Sequence, residues 1–288
     1  MIGTSLISSW WLYNSYYGGQ NPSEPIGKEP IKYIIEETDR VSLKKGQVNW
    51  QEVITILIMN YGENLEQVPK GQVTKLANEL NEAKTLFNSE EKKSPKDAMK
   101  KLGYVEFNQN KHDEIINRFY NIGYYGQFET ADHRLKFINE LSEAAKKIYK
   151  ERGILPSVII AQAILESGWG NSKLTIVGNN MFGIKADKSW KGSSISLETK
   201  EYVNTVIVGG FRAYKSKGES LEDYGKFLVE NPRYEKNGFF KAKTYIGQAQ
   251  ALEDAGYSTA QNEKGEKIYQ DKLVELIRQY NLQLLDCE

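Results

Sequence analysis

Glu166 stands in the string VIIAQAILESGWG (158–170), at the end of an apolar run and directly before Ser167, Gly168, Trp169 and Gly170. Val158, Ile159, Ile160, Ala161, Ala163, Ile164 and Leu165 leave almost no polar face, which predicts a buried helix opened by Pro156. A carboxylate at the end of such a helix is desolvated and faces the negative end of the helix dipole. Both effects disfavour the ion and raise its pKa. A carboxylic acid that keeps its proton near neutral pH is what glycoside hydrolysis needs to protonate a leaving oxygen. Position alone equally suits a glutamate that points into solvent or pairs with a lysine.

Hydrolysis of this kind ordinarily takes a second carboxylate. Ile195, Leu197, Thr199 and Glu201 alternate with Ser196, Glu198 and Lys200, and Val206-Ile207-Val208 leads on to Phe211 and Tyr214. That is the pattern of a hairpin or small sheet. Alternation puts Glu198 and Glu201 on opposite faces, so at most one shares a cleft with Glu166. Trp169, Phe182, Trp190, Tyr202, Phe211, Tyr214, Tyr234 and Tyr257 gather around these elements. Such rings stack on sugars or fill a core. Asn179 and Asn180 precede Met181-Phe182-Gly183, where amides bind acetamido groups or serve the turn.

Other chemistries have little to work with. There is one cysteine, Cys287, and there are two histidines, His112 and His133, in 288 residues, so no metal centre, cofactor or histidine triad is expected. Thirty-eight basic residues balance thirty-eight acidic ones, so no global field points to nucleic acid. Residues 1–19 carry no charge, yet lack the basic start of a secretory signal and the apolar length of a membrane span. The aromatic cluster Trp10, Trp11, Tyr13, Tyr16 and Tyr17 reads as an ordinary tail or the end of a trimmed anchor.

The elements that must position Glu166 follow from periodicity. After a turn-rich leader (1–30), helical stripes occur at Trp50–Tyr61 behind an Asn49 cap, at Val73–Leu80, after Ser94-Pro95, and at Ile115–Tyr120. The run Glu90-Glu91-Lys92-Lys93 reads as a solvated loop. Residues 31–126 thus form an all-helical domain that ends at Gly123-Tyr124-Tyr125-Gly126, and 127–288 form a second domain. Its further helices are expected from Thr130 to Gly153, near Ser220 with Asp223 completing a capping box, from Lys241 to Gly256, and from Lys267 onward. The expected class is α+β, predominantly helical.

Within the second domain, SVIIAQAILESGWGNSKL (157–174), NNMFGIK (179–185), WKG (190–192), TKEY (199–202), FRAY (211–214), NPRY (231–234) and AGYST (255–259) occur in order. Together they resemble the glucosaminidases of glycoside hydrolase family 73, over residues of about 130 to 280. The resemblance implies a lysozyme-like catalytic domain with a small β-lobe and cleavage of the β-1,4 bond between N-acetylglucosamine and N-acetylmuramic acid in peptidoglycan strands. It makes Glu166 the general acid, prefers Glu201 over Glu198 as the second catalytic group, and places Tyr257 near the cleaved bond. Glu201 would activate water as the base, or the substrate's own 2-acetamido group would attack in its place with Tyr257 steadying it. Asn179, Phe182, Tyr202 and Tyr234 match cleft positions, with Trp169 and Tyr214 beside them as further saccharide contacts. One departure is visible. The family continues GYATD and then quickly YA-x-K-L, whereas here AGYST is followed by AQNEKGEKIYQDKL, which puts the geometry around Tyr257 in question. A muramidase or lytic transglycosylase on the same fold, or a wall-binding component without activity, are the alternatives. The N-terminal domain weakly resembles modules that precede wall hydrolases in phage or conjugation systems. It is expected to contact wall or machinery proteins, occlude the cleft, or act as a spacer, and the protein is expected to act at the cell wall.

Overall fold

A computed structural model of the chain describes residues 26–43, 46–85, 95–104, 107–128, 133–202 and 205–287. The aromatic tail, the 90–93 charge run and the Ser94 cap lie outside the described residues. Helices dominate, with two small antiparallel sheets, in agreement with the expected class. No described helix is long and apolar enough to cross a membrane.

Among the described residues the N-terminal part holds the α-helices α1 (Lys28–Ser42), α2 (Trp50–Tyr61), α3 (Gln72–Thr85), α4 (Pro95–Lys101) and α5 (Gln109–Arg118). Asn49 caps α2 as its sequence predicts, its side-chain oxygen accepting from the amides of Gln51 and Glu52. Helix α1 begins inside the expected leader. Its stripe of Ile31, Ile34, Ile35, Thr38 and Val41, spaced as one helical face, is buried against α2 and α3. Trp50, Ile54, Leu57, Leu76, Met99 and Phe119 centre one hydrophobic cluster. The Gly123–Gly126 segment then makes a hairpin, β1 (Ile122–Gly123) with β2 (Gly126–Gln127).

The remaining chain builds a second cluster, from Phe137 to Leu282. Its helices are α6 (His133–Arg152), α7 (Pro156–Ser167), α8 (Lys173–Gly178), α9 (Lys217–Glu230), α10 (Pro232–Lys236), α11 (Tyr245–Asp254) and α12 (Tyr269–Gln279). Helix α7 is the hub. It packs against α6, α11, α12 and a C-terminal 3-10 segment, Leu282–Cys287. Burying each of Ile159, Ile160 and Ile164 is worth roughly 1.5–3 kcal/mol, which is why this all-apolar helix takes the centre. Its N-terminus is held from far along the chain. The Ser157 amide and hydroxyl both donate to the Asp286 carboxylate, at 2.9 and 2.6 Å.

The β-lobe is one hairpin, β3 (Ser194–Tyr202) with β4 (Thr205–Arg212). Its register breaks between Lys200 and Tyr202. A bulge there interrupts the period of two, so strict alternation does not run through Glu201. The helix after the hairpin starts earlier than its expected capping box. Ser216 caps α9, accepting from the Glu219 amide, while the Glu219 carboxylate accepts from the Lys215 amide. Ser220 is instead buried, its hydroxyl accepting from the Met181 amide, and Asp223 pairs with Arg212 at 2.9 Å. Position 220 faces the core, so its hydroxyl serves the neighbouring turn rather than the helix end.

The two clusters are joined through α12. Asp39 of α1 accepts from the Tyr245 hydroxyl at 2.5 Å and from Arg278 at 3.0 and 3.1 Å. The Tyr124 amide donates to the Arg278 carbonyl, and the Asn281 side chain donates to the Ile122 carbonyl. Gly123 sits so close to the Gln279 carbonyl that a side chain there would collide with backbone.

Candidate active site

Glu166 is the penultimate residue of α7. Of the two settings its position allows, desolvated or open to solvent, the structure combines both: the residue is solvent-exposed, while its neighbour Ser167 is fully buried. The chain leaves α7 through Gly168, Trp169 and Gly170, all with positive φ, so the last turn unwinds toward the surface. Ser167 holds that turn, donating to the Ala163 carbonyl and accepting from the Gly170 amide at 2.8 Å. Protein still surrounds much of the Glu166 carboxyl. Its pKa lies above the ordinary glutamate value because of this desolvation, opposed by one hydrogen bond from Tyr269. The residue is thus open on one side and enclosed by protein on the other.

Tyr269, the first residue of α12, supplies the polar contact that sequence reading missed. Its hydroxyl donates to Glu166 Oε1 at 3.0 Å and accepts from Gln162 Nε2 at 3.1 Å. Gln162 lies one turn before Glu166 on α7, so both partners of the hydroxyl share one helix face. Glu253, buried near the end of α11, accepts from the Tyr269 and Gln270 amides at 2.9 and 3.0 Å and so caps α12. A signal was present in the KIYQDKL string, whose Y-x-x-K-L spacing is that of the YA-x-K-L motif, although the long spacer obscured it. That spacer is a closed excursion: Gln261 bridges Lys267, and Asn262 with Gly265 makes the turn. The insertion therefore leaves Tyr257 and Tyr269 adjacent, stacked with ring centroids 5.1 Å apart.

Tyr257 is half-buried, 6.2 Å from Tyr224 and 6.4 Å from Tyr234 between ring centroids. Burial first, and then the nearby Glu166 charge, push its phenol pKa up, so the hydroxyl keeps its proton. Phe182 lies behind this row, stacked on Tyr224 at 3.8 Å and buried. Tyr234 is fully buried, with its hydroxyl accepting from Arg233. Trp169 is half-buried among Phe137, Tyr280 and the Arg134 guanidinium. Asn179 adopts the left-handed conformation at the end of α8 and donates to the Tyr214 carbonyl, tying α8 to the segment that follows β4. The Tyr214 hydroxyl donates to Asp223 at 2.7 Å, and its ring meets Trp190. Glu201 and Tyr202 belong to β3 near the hairpin tip, and their side chains lie outside the described residues. The site thus unites Glu166, Tyr257 and Tyr269, backed by a row of aromatic rings.

Residues 142–282 match the family model described as mannosyl-glycoprotein endo-beta-N-acetylglucosaminidase. This stretch belongs to the glucosaminidase family. The glucosaminidase domain is similar to the exo-glucosaminidase LytG of Bacillus subtilis (strain 168), 35% identical over 164 residues, covering 55% of this chain and 55% of that protein. It is also similar to the peptidoglycan hydrolase FlgJ of Vibrio cholerae, 43% identical over 109 residues, covering 36% of this chain and 33% of FlgJ. The catalytic domain of the autolysin Auto from Listeria monocytogenes is 32% identical, with a TM-score of 0.48, covering 63% of this chain and 99% of that domain. The chain spans about half of LytG and a third of FlgJ.

Proposed function

We propose that this protein hydrolyses the β-1,4 bond between N-acetylglucosamine and N-acetylmuramic acid within peptidoglycan strands, as an endo-β-N-acetylglucosaminidase at the cell wall. The observation that carries the reading is Glu166, a carboxyl with a raised pKa, open to solvent on one side and hydrogen-bonded to Tyr269 on the other. Protonated Glu166 donates to the glycosidic oxygen as the C1–O bond breaks, and the leaving sugar departs as an alcohol. Glu201, at the bulge of β3, acts as the base, taking a proton from the water that attacks C1. Tyr257, kept neutral by its surroundings, lies beside the acid to donate to the reacting sugar. Of the aromatic residues, we assign sugar contact to the half-buried Trp169, Tyr214 and Tyr257 rather than to the core residues Phe182 and Tyr234.

Mass spectrometry of digested peptidoglycan tests the bond. Reducing N-acetylglucosamine ends are expected, whereas reducing muramic acid marks a muramidase and anhydro ends a transglycosylase. An endo enzyme releases long fragments early, while an exo enzyme, as LytG is named, releases disaccharides from the start. Glu166→Gln is expected to lower kcat by about 10²–10⁴-fold. A variant that clears walls as fast as wild type overturns the reading. For the N-terminal helices we propose a fixed support, because they dock at the Arg278 end of α12, about 14 Å along the helix from Tyr269.

A further inference from the structure

An amide nitrogen only donates, so Gln162 Nε2 occupies a lone pair of the Tyr269 hydroxyl and leaves its proton directed at Glu166 Oε1. The tyrosine has little freedom to do otherwise. Its ring is buried and stacked on Tyr257, and its backbone amide is held by Glu253. The titratable groups among the described residues that face Glu166 are Tyr269, from α12, and Tyr257, from the turn after α11. Two helices, α7 and α12, thus fix one oxygen of an otherwise exposed carboxyl.

We propose that Tyr269 is a positioning residue for the acid: by engaging Oε1 it leaves Oε2 to carry the transferable proton. Gln162 sets the direction of the tyrosine's proton, and Glu253 sets the position of its ring. This inference rests on Glu166 being the acid. A neutral carboxyl exchanges its proton between two oxygens, and a donor fixed on one of them selects the other. The tyrosine also stabilises the ionised carboxylate, so it draws the Glu166 pKa down against the rise caused by desolvation.

Tyr269→Phe keeps the ring and its stacking and removes only the hydroxyl. The expected result is a 10–100-fold fall in kcat on peptidoglycan with KM within about twofold, together with an alkaline limb of kcat displaced to higher pH. The same displacement, smaller, is expected for Gln162→Leu, which frees the hydroxyl to rotate and serves where Tyr269→Phe fails to fold. A carbon-13 NMR titration of the glutamate carboxyls, assigned by the signal lost in Glu166→Gln, reads the same shift without activity. An upward move of the Glu166 titration in Tyr269→Phe supports the proposal. An unmoved titration and limb overturn it, even where Glu166→Gln is inactive and the acid assignment stands. Should wild type release no reducing ends while the titration moves, the reaction assignment fails and the positioning contact is upheld.

Discussion

Replacing Asp39 with alanine is expected to destabilise the whole protein, although the residue lies more than 120 positions before Glu166. The Asp39 carboxylate is almost wholly buried and accepts three hydrogen bonds, from Tyr245, from Arg278 Nε and from Gln47 at 3.0 Å, with Arg278 Nη2 paired to it at 3.0 Å. Removing one member of a buried ion pair costs about 3–5 kcal/mol, mostly because the other charge stays buried without compensation. Arg278 retains partial exposure and its bond to Tyr245, which places the expected loss near the lower end, about 3 kcal/mol. Urea unfolding followed by tryptophan fluorescence measures this, since Trp50 reports on the N-terminal cluster and Trp169 on the glucosaminidase domain. One cooperative transition, shifted to lower urea, is the expected result. The double variant Asp39→Leu with Arg278→Met is expected to recover most of the loss, because apolar side chains of similar volume need no counter-charge. A loss under about 0.5 kcal/mol, or two transitions of which only the first moves, would refute the docking of the modules through α12.

Other perturbations test the site and its supports. Glu166→Gln is expected to stabilise the fold at pH 7, because the folded pKa is raised. Sign follows from linkage: both forms are neutral below the unfolded pKa, and the wild type loses stability as pH rises through the folded value. Thermal melts should therefore converge near pH 4 and separate at pH 7. Gly170→Ala combines a φ of +78° with a Cβ 2.8 Å from the Phe137 ring, and a loss of about 2 kcal/mol in urea unfolding is expected. Asp286→Ala removes the acceptor that caps α7 from the chain's end and should cost about 1–2 kcal/mol by the same measurement.

Much of this arrangement was legible in the residues, and the exceptions share a cause. Helix α7 could be read because seven apolar side chains in eight positions have no soluble alternative, and α2 because Asn49 precedes a clean stripe. Helix α1 was missed because Pro22, Pro25, Gly27 and Pro30 dominate its approach, although proline fits a first helical turn. For Glu166 the pattern left a desolvated and a solvent-facing setting open, because the helix ends there and three left-handed residues redirect the chain. Each exception lies where local pattern yields to contacts made across the sequence.

Glu166 illustrates the point most fully. Its position comes from α7, but its carboxyl is hydrogen-bonded by a hydroxyl 103 residues away, whose backbone amide is in turn held by a carboxylate on α11. Helix α12 carries that hydroxyl at its first turn and Arg278 at its last, so one rigid element serves both the acid and the N-terminal helices. A lid would need a surface that opens. Asp39 instead meets its partners in a buried, hydrogen-bonded contact, and Gly123 lies against backbone with no room to slide. The energetics of such a junction favour permanence: separating it exposes an ion pair and frees the end of the helix that presents Tyr269. On this argument the N-terminal helices influence catalysis by holding α12 in place, and weakening the Asp39 contact should lower kcat more than it raises KM.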